Sequence, residues 1–182
     1  QYIASVRELS YAAPAYRSIM GINTGMFATA LKKCGTDAQR DEWLTRSVNG
    51  EIACFGLTEP DTGSDSANLK TKAVRDGDDY LLTGTKRYIT NAPYADMALI
   101  MARTHADNLP KNAHISAFLV DMNSHGITRG SPDAKLGQKG AQIGDIIMDN
   151  VRVPARNLLG LEEGKGFLAA MQSLDNGRLA IG

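Results

Sequence analysis

The apolar pattern changes period at Glu51, and no other feature constrains the fold of this chain as strongly. Before that point apolar residues recur every third or fourth position: Ile3, Val6, Leu9 and Ala13, then Met20, Phe27 and Leu31. That spacing is one face of a helix. After it, apolar and polar residues alternate, and turn residues return about every eight to twelve positions, the grammar of short antiparallel strands. From Glu162 the helical period resumes, with Phe167, Leu168, Met171, Leu174 and Leu179 on one side. The expected class is α+β in three parts: helices over 1–50, a small β-barrel or sandwich over 51–160, and the first helix of a further part over 161–182.

Local signals sharpen this layout. Pro14 suits the first turn of a helix, while Gly21 and Gly25 weaken the helix that follows. Cys34-Gly35 stops it. Thr36 and Gln39 match a capping box opening a helix that carries Trp43 as a core anchor and ends at Asn49-Gly50. Strands are expected over 69–75, 80–90 with a break at Gly84, 97–103, 115–121 and 143–153. Asp76-Gly77 marks a hairpin turn between the first two.

The bulk composition excludes several functions. Lys plus Arg number 20 and Asp plus Glu number 20 in 182 residues, so no basic excess points to nucleic acid or an anionic membrane. No apolar run approaches the length of a membrane span. Cys34 and Cys54 form no C-x-x-C pair and read as free thiols in a reducing compartment. His105, His114 and His125 lack metal-site spacing, so no metal is expected. Gly164-Lys165-Gly166 is not a phosphate loop, because the glycine spacing is wrong and no Ser or Thr follows the Lys. The chain opens without an initiator Met and stops inside an apolar-periodic stretch, which reads as an excerpt of a longer protein.

Three stretches carry chemistry. LTEPDTGSD (Leu57–Asp65) places hydroxyls, carboxylates and a glycine directly behind the apolar lead-in Cys54–Leu57. GTKRYITNAPYAD (Gly84–Asp96) adds an aromatic residue and a hydroxyl at a strand end, and MQSLDNGRLAIG (Met171–Gly182) adds a polar helix face. Strand ends of this kind present backbone donors and hydroxyls to a ligand, although each stretch alone is also compatible with a plain turn or a solvated face. Asp175 and Arg178 stand at i and i+3 and can simply pair. Glu59, at a tight turn before Pro60, reads as a turn-bonded or solvated carboxylate and not as a base.

In this order, and with KCGTDAQRDEWL, ISAFLVDM, KLGQKG and DNVRVPARNLLG around them, the stretches resemble the acyl-CoA dehydrogenase family of flavoproteins along essentially the whole chain. The resemblance implies the end of an N-terminal helical domain (1–50), a middle β-barrel domain (51–160) and the first helix of a C-terminal helical domain (161–182). It implies FAD, cradled by Phe55, Leu57, Thr58, Gly63 and Ser64 on one wall and by Tyr88, Ile89 and Thr90 on the other. Thr90 would stand near the flavin nitrogen that accepts hydride, where donors stabilise developing charge. Tyr88 departs from the commoner Trp of the family. The acyl-CoA would meet Ser64, Asp175, Asn176, Gly177 and Arg178.

The implied reaction is α,β-dehydrogenation, with the α proton taken by a Glu and the β hydride passed to the flavin. One branch of the family carries that Glu immediately before the helix Arg. Gly177 stands there in this chain, so no catalytic base is expected within it. The Glu would lie beyond Gly182, as in the short- and medium-chain branch. The family further implies an electron-transfer flavoprotein as acceptor and a homotetramer. The compartment would be the cytoplasm for a bacterial protein and the mitochondrial matrix for a eukaryotic one. Two rival readings are an acyl-CoA oxidase-like or nitroalkane-oxidising enzyme that uses oxygen, and a non-catalytic scaffold of the same descent.

Overall fold

A computed structural model describes residues 2–104 and 111–181, apart from the side chains of 111, 112, 176 and 179–181. His105 and Gly182 therefore lie outside the described residues. Helix α1 (Tyr2–Ala12) is followed by α2 (Pro14–Met20), a π-helical turn (Gly21–Phe27) and α3 (Ala28–Cys34). The glycines thus loosen the helix without ending it, since a wider i→i+5 turn carries the chain through them. Asn23 in that turn accepts the Ala53 amide at 2.8 Å and so pins the helix to the first strand. Helix α4 (Asp37–Val48) begins with the expected capping box, both reciprocal bonds between Thr36 and Gln39 being present.

The β part is a curled seven-stranded sheet: β1 (Ala53–Gly56), β2 (Lys72–Asp76), β3 (Asp79–Thr90), β4 (Met97–Arg103), β5 (Ile115–Asp121), β6 (Ile127–Arg129) and β7 (Ile143–Pro154). Its ladder runs β1-β4-β2-β3-β7-β6, and β5 pairs with the other edge of β4. Most ladders are antiparallel, but β1 and β2 both pair with β4 in parallel, Ala53 standing opposite Met97 and Lys72 opposite Arg103. The barrel expectation takes the form of this curl around an enclosed core, the outer strands β5 and β6 not being paired with each other.

Period-two alternation divides the core in two. Ala98, Ile100 and Ala102 of β4 face the inside of the curl with Tyr80, Leu82, Phe118 and Val151. Met97, Leu99 and Met101 face the helices, where they meet Phe27, Leu31, Trp43 and Ala170. A strand buried on both faces must be apolar at every position, as β4 is until Arg103. The closing helix α5 (Gly166–Ile181) lies across β4 and β5 on this second side. Its start needs glycine, because a Cβ on Gly166 would stand 2.3 Å from the Ser116 carbonyl carbon.

Two strand expectations shift. Strand β2 begins at Lys72 and not at Leu69, because the Lys70 and Thr71 amides donate to the Glu59 carboxylate instead of a neighbouring strand. The hairpin loop is Gly77-Asp78, since Asp76 still pairs with Asp79. Gly77 adopts φ +62°, a left-handed conformation open to glycine at little cost.

Candidate functional site

The loop after β1 and the second half of β3 are stitched into one wall. The Arg87 amide donates to the Thr58 carbonyl at 2.9 Å. Glu59 and Thr62 exchange backbone bonds of 3.0 and 3.2 Å, which closes the turn around Pro60. Beneath them runs a buried ion pair. Lys86, 0% exposed, donates to Glu59 Oε1 at 2.8 Å and to the Leu57 carbonyl at 3.2 Å. Glu59, 5% exposed, also accepts the Lys70 and Thr71 amides at 2.5 and 2.9 Å and the Thr62 hydroxyl at 3.3 Å. Burial pushes the Lys86 ammonium down to about 8, against the pull of Glu59. Burial also opposes the charge on Glu59, but Lys86 and the surrounding donors hold its carboxyl below the ordinary carboxylate range.

Glu59 is thus turn-bonded and not solvated, and sequence reasoning missed its partner. The missing signal was parity: Lys86 stands in step with Tyr80 and Leu82 on the inward face of β3, a position that buries a lysine only if something pairs it.

The parity breaks one residue later. A bulge interrupts the β3–β7 register between Lys86 and Ile89. Tyr88 sits in it at φ +59°, a conformation that is a true outlier for a bulky residue. Such strain costs about 1–3 kcal/mol and persists where surrounding structure holds it. The effect is to expose Tyr88 to 63% while Ile89 turns into the core. The Arg87 guanidinium lies 4.5 Å from the Tyr88 ring centroid and is itself fixed by Asp145 at 2.7 Å and Asp133 at 3.2 Å. Asn91, at φ +71°, donates to the Ala53 carbonyl at 2.9 Å and accepts from the Tyr94 hydroxyl at 2.9 Å. These bonds tie the end of β3 back to β1.

The other expected residues fall into three groups. Phe55, Leu57 and Ile89 bury their side chains in the two cores, leaving their backbone as what they offer a ligand. Thr58 and Thr90 are half-buried, while Gly63 and Ser64 are exposed. Among the described residues the hydroxyls of Thr58, Ser64 and Thr90 have no hydrogen-bond partner. Thr90 and Gly177 line one small cavity, of about 130 Å³, together with Arg17, Ile22 and Met26. Thr58 and Ser64 do not line it. Asp175 and Arg178 are exposed and bonded to each other, a pair of small energetic weight. The Asn176 side chain lies outside the described residues. No group of metal-ligating side chains exists among the described residues, and both cysteines there are free, Cys54 buried and Cys34 half-buried.

Residues 54–151 match the family model for the acyl-CoA dehydrogenase middle domain, and residues 1–51 match that for the acyl-CoA dehydrogenase N-terminal domain. The chain belongs to the acyl-CoA dehydrogenase family. It is 39% identical over 181 residues to the mitochondrial short-chain specific acyl-CoA dehydrogenase of Mus musculus, covering 99% of this chain and 43% of that protein. Butyryl-CoA dehydrogenase from Megasphaera elsdenii superposes with a TM-score of 0.93 at 35% identity, covering 99% of this chain and 47% of that one. A glutaryl-CoA dehydrogenase from Mycobacterium smegmatis, solved in complex with FADH2, superposes at 0.88 with 35% identity, covering 99% of this chain and 45% of that one. The chain therefore spans somewhat under half the length of the relatives it matches. No helix among the described residues is long and apolar enough to cross a membrane.

Proposed function

We propose that the full-length protein is an FAD-dependent acyl-CoA dehydrogenase of the short-chain branch. The observation that supports this reading is the Arg87–Thr58 bond that joins the loop after β1 to the end of β3, and to these two segments we assign a flavin wall of Thr58, Ser64, Tyr88 and Thr90. Three hydroxyls there have no partner within the described protein, and an aromatic ring is held outward by a strained bulge. The donor set fits a flavin, a flat ring whose rim accepts hydrogen bonds while its face accepts stacking. FAD supplies the hydride acceptor for the β carbon of the substrate.

The chain's own residues supply position and polarity. Lys86 and Glu59 fix the Leu57–Glu59 backbone, so the hydroxyl of Thr58 is presented from a rigid edge. Thr90 offers a donor at the end of β3, beside the cavity that reaches Gly177. Glu59 is a poor candidate for the base that removes the α proton: it is buried, fully engaged by donors and held in its charged form. Gly177 carries no carboxylate. The base is assigned to a Glu outside this chain. The acyl-CoA contacts are assigned to Ser64 and to Asp175–Arg178, with electrons passing to an electron-transfer flavoprotein. The full-length protein is read as a homotetramer of the bacterial cytoplasm or the mitochondrial matrix.

Thr90→Val in the full-length protein tests the wall. A hydrogen bond to a charged group is worth roughly 1.5–3 kcal/mol, so flavin reduction by substrate should slow by about 10- to 100-fold. Unchanged reduction and unchanged FAD affinity would remove Thr90 from the site.

A further inference from the structure

We propose that Asn91 is a positioning residue of the site: with Asn23 it clamps Ala53, and so fixes the gap between Thr90 and the π-helical turn across which the substrate is held. This rests on the acyl-CoA dehydrogenase reading and goes beyond it by naming what sets the distance between the two sides of the cavity. That cavity, of about 130 Å³, has Thr90 at the end of β3 on one side and Ser18, Gly21, Ile22 and Met26 of α2 and the turn on the other. The ladder partners of β3 are β2 and β7, which fix it within the sheet but not against the helices.

Ala53 is where the two sides meet. Ile52 turns its carbonyl to β4, where it accepts the Met97 amide at 3.1 Å, so the N–H and C=O of Ala53 point away from that strand. Ala53 is fully buried, and both groups need partners. Two asparagines supply them. Asn23 of the π-helical turn accepts the Ala53 amide at 2.8 Å, and Asn91 donates to the Ala53 carbonyl at 2.9 Å. The same Asn91 Nδ2 donates to the Ile19 carbonyl of α2 at 3.4 Å, and its Oδ1 accepts the Tyr94 hydroxyl at 2.9 Å. The Asn91 backbone amide donates to the Gln142 carbonyl at 2.9 Å, just before β7. Asn91 is fully buried and follows Thr90 directly, so whatever fixes Asn91 also fixes Thr90. It stands at φ +71°, a conformation that asparagine tolerates better than most residues. Among short side chains an amide alone offers two donors and an acceptor. The donors reach α2 and β1, and Asn23 reaches β1 from the turn, so the helical side and the end of β3 are held to one reference point.

The test is single-turnover reduction of the flavin by butanoyl-CoA in the FAD-loaded full-length protein. Asn91→Gly fits φ +71° without strain and removes only the side chain, while Asn91→Asp keeps the shape and the acceptor but not the donors. Both should reduce the flavin more slowly at saturating substrate, by on the order of 10- to 100-fold, the loss expected from a misplacement of about 1 Å. Both should also raise the kcat/KM ratio of octanoyl-CoA to butanoyl-CoA by about 10-fold as the gap widens. That ratio is internal to each variant, so a partly unfolded preparation does not imitate the effect. Asn23→Ala should act in the same sense, and combined with Asn91→Gly it should slow reduction by less than the product of the two single effects. Amide hydrogen exchange gives a readout independent of turnover: the segments around Ile19, Ala53 and Thr90 should exchange faster together in Asn91→Gly, with β5 unchanged. Wild-type rate and ratio in folded Asn91→Gly or Asn91→Asp would overturn the inference and leave the dehydrogenase reading intact. An unchanged ratio in Asn23→Ala would do the same, and decides the matter if the Asn91 variants fail to fold. A wild-type flavin that neither thioester reduces would overturn both.

Discussion

Replacing Lys86 by Met should destabilise the protein and loosen the loop that carries Thr58. The substitution keeps length and apolar bulk but removes the ammonium that bonds Glu59 at 2.8 Å and the Leu57 carbonyl at 3.2 Å. Breaking a buried pair by deleting one partner costs roughly 3–5 kcal/mol, because the other charge stays buried. Here Glu59 keeps the Lys70 and Thr71 amides and the Thr62 hydroxyl, which favours the lower end of that range, about 3 kcal/mol. Glu59→Gln should cost less, about 2 kcal/mol, since Lys86 already titrates near 8 and can shed its proton more cheaply. The double variant should recover part of the loss, with a coupling energy of about 1.5 kcal/mol or more. Urea denaturation of the four proteins at neutral pH, followed by far-UV circular dichroism at constant m, measures the cycle. Additive single changes, or a loss under about 1 kcal/mol for Lys86→Met, would refute the claim that this pair holds the wall together.

The same ion pair sets a pH dependence. Lys86, at about 8 against an ordinary 10.5, leaves the folded chain with fewer protons than the unfolded chain between those values, so its contribution makes stability rise with pH across that window. Glu59 gives a slope of the same sign in the acid range. Held below its ordinary 4.5, it stabilises the fold above that pH, and this is lost as pH falls through its folded value; urea midpoints over a buffer series read both limbs. Gly166→Ala should be strongly destabilising, by about 3 kcal/mol or more, because its Cβ would fall 2.3 Å from the Ser116 backbone, and a lowered Tm would show it. Gly177→Ala has room at 3.9 Å and should raise stability by about 0.5–1 kcal/mol through helix propensity, while narrowing the cavity beside Thr90.

The parts that were legible in the sequence were those set by short-range chemistry. The Thr36–Gln39 capping box, the apolar run of β4 and the turn after Asp76 each follow from a few adjacent residues. The π-helical turn at Gly21–Phe27 was not legible as such, because its support comes from Asn23 bonding to β1, thirty residues away in the chain. Strand β6 escaped notice because its three residues pair only with β7. In the candidate site, the hydroxyls and Tyr88 are proposed from motif order. The bulge that turns Tyr88 outward depends on register against β7, which no local pattern encodes.

The central claim is that Thr58, Ser64, Tyr88 and Thr90 form a flavin wall serving an acyl-CoA. An absorbance spectrum of the purified full-length protein, taken without oxygen before and after adding a short acyl-CoA, tests it most directly. An oxidised flavin band that bleaches on addition is expected. A protein that shows no flavin band, even after incubation with FAD, would contradict it.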